Sequence, residues 1–143
     1  MITKDDLVTF EQEIAAIYAT GVIRAPVHLR SGREDALIEI FRDHQIGRDD
    51  YVFGYWDSHE LALLKGVPRE ELKRAILEGK SISLCFPDAK MLCSGIVGSL
   101  MGVAAGVAWH GRITKMETQS RGNSQCWGRA GLCDAFRCGR RLA

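Results

Sequence analysis

The sequence predicts a mostly helical domain with one or two short strands. Three observations predict it. Apolar residues recur at helical spacing in several separate segments. One short aromatic and β-branched run, Tyr51-Val52-Phe53, follows Asp49-Asp50 and is closed by Gly54. The chain has 143 residues and is 46% hydrophobic, which is one domain by length with room for a core.

The first helix opens at Thr3-Lys4-Asp5-Asp6, a capping box with Thr3 as N-cap and an acid three residues on. Leu7, Phe10, Ile14, Ile17 and Tyr18 continue it over residues 4–20, and Gly21 stops it. Val22 to Leu29 contains Pro26 and reads as an extended connector. Arg33 to His44 is a second helix, with Ala36, Leu37, Ile40 and Phe41 on one face. A short helix runs from Ser58 to Lys65 and ends at Gly66. Pro68 opens the next at its first turn, where a missing N–H costs nothing. There Leu72, Ile76 and Leu77 face inward, and Gly79 ends the helix. Ser81 to Phe86 reads as extended.

Met91 to Trp109 is 19 residues without a charge. The length would permit a membrane span. Its Gly/Ala/Ser content and the lack of flanking basic clusters favour a buried helix instead. Gly98, Gly102 and Gly106 repeat on one face, where they would let a neighbouring backbone approach closely.

Charge divides the chain. Residues 1–111 carry 12 Lys+Arg and 16 Asp+Glu, a net −4, whereas residues 112–143 carry 7 and 2, a net +5. The total, +1, gives no bulk argument for nucleic acid or membrane. The start, MITKDDLVTF, lacks the apolar run of a secretory signal, so free thiols in a cytoplasmic protein are expected.

Four segments hold candidate chemistry: Val27-His28-Leu29-Arg30-Ser31-Gly32-Arg33-Glu34-Asp35, Gly54-Tyr55-Trp56-Asp57-Ser58-His59, Ser81 to Phe86, and Cys93-Ser94-Gly95-Ile96-Val97-Gly98. Singly each has a bland reading as a capping loop, a packed aromatic pair or close helix packing. Their order does not. Phe10-Glu11 with Ile17-Tyr18, Val27-His28-Leu29 with Gly32 and Glu34, Asp50 to Phe53, Ser58-His59 with Leu64-Lys65-Gly66, and Gly95 to Gly98 with Ala105 to Ala108 follow one another. Over Phe10 to Ala108 the chain resembles the N-terminal part of the alpha subunit of thiamine-diphosphate-dependent 2-oxo acid dehydrogenases, the pyruvate, branched-chain and acetoin dehydrogenase family.

The resemblance implies an α/β class: the mostly helical N-terminal part of a doubly wound thiamine-diphosphate-binding domain, truncated before most of the parallel sheet. It implies oxidative decarboxylation of a 2-oxo acid, with acyl transfer to a lipoyl carrier. Thiamine diphosphate with Mg²⁺ is the implied cofactor. A beta subunit and a lipoyl-bearing acyltransferase are the implied partners, with neither nucleic acid nor membrane. Gly95 and Val97 would contact the aminopyrimidine ring, Trp56 would approach the cofactor, and His59 would belong to the active-site loops as the catalytic candidate. No metal ligand is assigned in this chain.

The chain also departs from the pattern. Asp57 stands where the family has a diphosphate-pairing Arg, and a carboxylate there would repel the diphosphate. Leu61 replaces a frequent second His, Gly32-Arg33-Glu34-Asp35 replaces Gly-Gln-Glu-Ala, and Cys85 falls where many members have His. No Gly-Asp follows Ala108, so the family's Mg²⁺-binding motif is missing and the chain alone is expected to be inactive. The alternative is a non-catalytic helical interaction protein using the Gly98/Gly102/Gly106 face.

Residues 112–143 read as a separate basic Cys/Arg/Gly tail, disordered and derived from a shifted reading frame. A zinc site needs paired thiolates, but six and four residues separate Cys126, Cys133 and Cys138. A nucleic-acid tail would use Arg129, Arg137, Arg140 and Arg141, with no reading domain upstream. Gln125-Cys126-Trp127-Gly128-Arg129 can be encoded CAR TGY TGG GGN CGN. Shifted one base, this becomes ART GYT GGG GNC GNG, which permits Gly-Asp-Gly. Sequencing the gene through codons 108–143 and beyond should show a second frame carrying Gly-Asp-Gly and a downstream Asn. A gene with no such frame makes the tail genuine and moves the non-catalytic reading ahead.

Overall fold

Thr3 starts the chain's first regular element as its spacing predicts. Its Oγ1 accepts from the Asp6 N–H at 3.2 Å, and the Asp6 carboxylate accepts from the Thr3 N–H at 2.8 Å. Two of the otherwise orphaned N–H groups are thereby satisfied, and helix α1 runs Lys4–Ala19. The computed structural model describes residues 2–113, 118–121 and 136–140, with side chains over 2–110.

The remaining helices are α2 (Glu34–Asp43), α3 (His59–Leu64), α4 (Arg69–Leu77) and α5 (Ser99–Ile113). The strands are β1 (Tyr51–Gly54), β2 (Cys85–Phe86), β3 (Met91–Cys93), β4 (Thr118–Arg121) and β5 (Phe136–Arg140). They form one mixed sheet in the order β2-β3-β1-β5-β4. β1 and β3 are parallel, with Val52 opposite Met91 and Gly54 opposite Cys93. β2 pairs antiparallel with β3, and β5 pairs antiparallel with β1. The class is α/β. The chain between the two parallel strands crosses over through α3 and α4, as a parallel pair requires.

The main core lies between the helices and one face of the sheet. Leu7, Phe10 and Ile14 of α1, Leu72 and Ile76 of α4, Val52, Leu84 and Met91 are buried together. A smaller cluster on the other face packs Leu100 and Ala104 of α5 on Phe53. Lys65, at the end of α3, is buried, and its amine donates to the carbonyls of Gly47 (2.6 Å), Asp50 (2.7 Å) and Arg48 (3.3 Å). These bonds satisfy the buried charge and fix the loop that feeds β1.

Several sequence expectations need correction. Ser81 to Ser83 is a turn, and only Cys85–Phe86 of that segment is strand. The run from Met91 to Trp109 is not one helix: it divides into β3, a loop at Ser94–Gly98 and α5. Nor is α5 a buried helix. A Cβ added at Gly102 or Gly106 would meet nothing within 4 Å, so those glycines receive no neighbouring backbone among the described residues. Leu77 is exposed rather than inward. Among the described residues no helix is long and apolar enough to cross a membrane. α5 continues through Ile113, and β4 and β5 fall within the expected tail. Residues 114–117, 122–135 and 141–143, with Cys126 and Cys133, lie outside the described residues, and so does the expectation made for them.

Leu72 and Thr3 separate core from cap energetically. Leu72→Ala should lower the unfolding free energy by about 2–5 kcal/mol. Thr3→Ala should lower it by about 1 kcal/mol. Urea titrations of the two variants check this, and equal losses would contradict the packing described.

Candidate functional site

Parallel pairing puts the carboxyl ends of β1 and β3 on the same edge of the sheet. β1 leads into Tyr55-Trp56-Asp57-Ser58, and β3 leads into Ser94-Gly95-Ile96-Val97-Gly98. The Ser94 N–H donates to the Gly54 carbonyl at 3.1 Å, carrying the ladder one step past the strands. The Gly98 N–H donates to the Tyr55 hydroxyl at 3.3 Å, so one segment rests on the other. Open α/β sheets commonly bind ligands at such carboxyl ends.

Small residues at this edge have local causes. Gly98 has φ +83°, a left-handed conformation that glycine adopts without a Cβ penalty. Gly54 is tightly covered, since a Cβ there would lie 2.2 Å from Ser58 Oγ. Ser58 Oγ donates to the Tyr55 carbonyl at 2.5 Å and so closes the turn between β1 and α3. Gly95 is backed by Ile82, whose Cδ1 is 3.1 Å from the position of an added Cβ.

Three of the sequence candidates share this edge. Gly95 and Val97 lie in the exposed loop, with Ile96 and Val97 at 71% and 68% exposure. Trp56 is half-buried, tilted 37° against Tyr55 at 5.9 Å, with His28 edge-on at 6.3 Å. His59 is placed differently. It is 1% exposed, and both ring nitrogens have protein partners: Nδ1 lies 2.9 Å from Glu11 Oε1 and Nε2 lies 2.8 Å from Ser81 Oγ. Glu11 and Ser81 thus hold the two sides of the ring. This link joins α1, α3 and the 81–83 turn in the interior.

Asp57 is buried and does not face solvent as a free charge. Its Oδ2 is 2.9 Å from Arg33 Nη1 and 2.9 Å from Arg30 Nε. Arg33 also donates from Nη2 to the Asp57 carbonyl at 2.5 Å and from Nε to Glu60 at 2.6 Å. Burial opposes the Arg33 charge, but Glu60 and Asp57 outweigh that opposition and hold its pKa above the ordinary guanidinium value. Glu34 opens α2 beneath this cluster, both oxygens accepting from the Gly32 N–H at 2.9 Å. The sequence alone marks Asp57 only as a repelling departure and gives Arg30, Arg33 and Glu60 no site role. No local spacing rule signals their pairing.

The fit of the implied cofactor divides into two parts. An exposed backbone loop with Ile96 and Val97 suits a heteroaromatic ring, which needs an apolar face and backbone polar groups. The Mg²⁺ part does not fit. Among the described residues no group of three or more His, Cys, Asp or Glu is placed to hold a metal, and Asp57 and Glu60 are already committed to guanidinium groups.

Cys93 and Cys85 are free thiols. Burial pushes the Cys93 thiol up to about 12, so it is inert at neutral pH. Cys85 is exposed on the edge strand, at an open cleft of about 500 Å³ on the far side of the sheet, lined also by Arg48, Lys65 and Phe86. No family model, curated protein or solved structure matches the chain.

Glu60 makes stability depend on pH. Burial pushes its carboxyl above the usual range, against the pull of Arg33, and its Oε1 has no hydrogen-bond partner among the described residues. A carboxyl whose folded pKa is raised binds its proton more tightly folded than unfolded. Stability is then lost as pH rises from the usual carboxylate range through the raised value. Glu60→Gln keeps an acceptor for Arg33 and should flatten the fall of melting temperature with pH across that window. An unchanged slope would assign the pH dependence to another group.

Proposed function

We propose that this chain is an alpha-subunit-like fragment of a thiamine-diphosphate-dependent 2-oxo acid dehydrogenase, supplying a surface for the cofactor's ring and inactive alone. One observation carries the reading. The parallel strands β1 and β3 deliver Trp56 and the Gly95–Gly98 loop to one sheet edge, with Ile96 and Val97 exposed there. These are the segments in which the resemblance puts the ring contacts, Gly95 and Val97 at the aminopyrimidine and Trp56 beside it.

When bound, thiamine diphosphate supplies a nucleophilic carbon and an electron sink for decarboxylation. This chain's part would be binding and orientation. Backbone groups of the loop would address the ring's polar atoms, and Ile96 and Val97 would cover its apolar face. His59 would act from the interior, holding α3 and hence the Trp56–Ser58 turn through Glu11 and Ser81. No metal ligand is assigned to the described residues. A beta subunit and a lipoyl-bearing acyltransferase would be the partners, in a reducing cytoplasm.

A second reading, the non-catalytic interaction protein, draws on the outer face of α5. Met101, Val103 and Trp109 are exposed there beside the open glycines 102 and 106. An exposed apolar helix face suits association.

Amide NMR separates the two. On titration with thiamine diphosphate and Mg²⁺ at millimolar concentration, shifts should include Tyr55, Trp56 and Ser94–Ser99. Val97→Asp should abolish them, while turnover of pyruvate by the chain alone stays at background. Absence of shifts at that edge, together with a defined oligomer in sedimentation without any beta subunit, would replace the cofactor reading with the interaction module.

A further inference from the structure

Asp57 is adverse to a phosphorylated ligand in the sequence, but in the structure it is buried and ion-paired with two guanidiniums. One buried carboxylate oxygen serves two guanidiniums, each at 2.9 Å. The two arginines differ in what remains free. Arg33 is 12% exposed and directs Nε, Nη1 and Nη2 inward to Glu60, Asp57 and the Asp57 carbonyl. Arg30 is 40% exposed and engages Asp57 through Nε. Its Nη groups make no hydrogen bond among the described residues. A guanidinium carries five N–H donors, so four remain in its terminal fork. That fork matches a phosphate or carboxylate geometrically.

Location supports a ligand role. Asp57 follows Trp56 at the carboxyl end of β1, and Trp56 touches both Tyr55 on the loop side and His28 on the Arg30 side. Asp57 is also close enough to Cys93, the last residue of β3, to contribute to its raised pKa. Arg30 therefore flanks the same edge as the Gly95–Gly98 loop, with Trp56 between them. The ion pair with Asp57, 2.9 Å from Nε, restrains a side chain that would otherwise lose rotamer freedom on binding, which lowers the cost of capturing an anion.

We propose that Arg30, oriented by Asp57, is the anion-binding residue of this edge and takes the phosphate end of a ligand whose ring lies on the Gly95–Gly98 loop. This rests on the cofactor reading above for the ring, and on the arginine geometry alone for the phosphate. Asp57 is then a positioning residue, not a repelling one.

The test uses inorganic pyrophosphate at low ionic strength, with binding followed by NMR of the full chain. Pyrophosphate should shift the Trp56 indole and the amides of residues 28–30 and 55–57. Arg30→Met should weaken binding by roughly tenfold or more, the size of one lost charge-assisted contact. Its urea midpoint should not move, since Arg33 still neutralises Asp57, and Arg30→Lys should restore part of the affinity. Asp57→Asn gives the sign: removal of a repelling charge would tighten binding, whereas removal of an anchor weakens it. Unchanged affinity in Arg30→Met, tighter binding in Asp57→Asn, or displacement of pyrophosphate by equimolar pyruvate would overturn the proposal. Arg30-dependent pyrophosphate binding without thiamine diphosphate shifts at residues 94–99 would keep the anion site and remove the cofactor reading. Shifts at 94–99 with no effect of Arg30→Met would do the reverse. If neither compound shifts the wild-type spectrum, both fall.

Discussion

The guanidinium of Arg33 fixes the relation between the first two helices and the sheet edge. It stands at the N-terminus of α2 and reaches both Asp57, before α3, and Glu60, within its first turn. Both acids are buried, so removal of Arg33 would leave two carboxylates without their main counter-charge, a costly arrangement in the interior. α1 is tied to the same turn of α3 from the other side, through Glu11 and His59. The hexapeptide Tyr55–Glu60 is thus held by α1, α2 and the loop after β3 together. Trp56 is the residue of that hexapeptide left half-open to solvent. The polar network lies beneath the edge, and the edge itself presents aromatic, aliphatic and backbone surface.

Much of the helical fold was legible because short-range rules govern helix ends. The capping box at Thr3, the stop at Gly21, and the starts near Arg33, Ser58 and Pro68 are decided within a few residues. The sheet was less legible for a physical reason. β2 is two residues and β3 three, too short for alternation to show. β3 pairs with β1, whose residues lie some forty positions earlier, and β2 joins the sheet only through β3. The Met91–Trp109 run failed differently. Small and apolar residues on every side leave no periodicity to say which face of α5 is inward. Leu100, Ala104, Val107 and Ala108 face Phe53 and its neighbours, while the glycine side is open.

The candidate site was legible in position and not in electrostatics. Trp56, Gly95 and Val97 follow two strands that turn out to be parallel neighbours, so marking strand ends was enough to bring them together. His59 was read by residue type, and type does not fix direction. On a helix, the residue after an N-cap points wherever the helix packing sends it, here toward Glu11 and Ser81. Asp57 reads in the sequence as a carboxylate that repels a diphosphate, because its partners Arg33 and Arg30 are 24 and 27 residues away. That information lies in the contacts between the segment before α2 and the start of α3, which no local spacing rule reports.

That pairing bears on how a departure from a family pattern should be weighed. Position by position, Asp57 exchanges a phosphate-pairing cation for an anion and counts against a diphosphate ligand. In space, the quantity a phosphate senses is the fork that points toward it, not the residue number that supplies the fork. Two buried carboxylates, Asp57 and Glu60, balance the two guanidiniums, and the ion pair with Asp57 holds Arg30 beside this edge. On the reading proposed, the cation has moved from the strand end to the connector before α2, and the acid at the strand end has become its support. Among the described residues Mg²⁺ has no such spatial substitute. A hard cation needs several oxygen ligands converging on one point, and the carboxylates near this edge already face guanidinium groups. Loss of an arginine can be repaired by one arginine elsewhere, but loss of a converging ligand set requires a second converging set. On the reading proposed, the same edge would keep an affinity for ring and phosphate without a Mg²⁺ ligand set among the described residues.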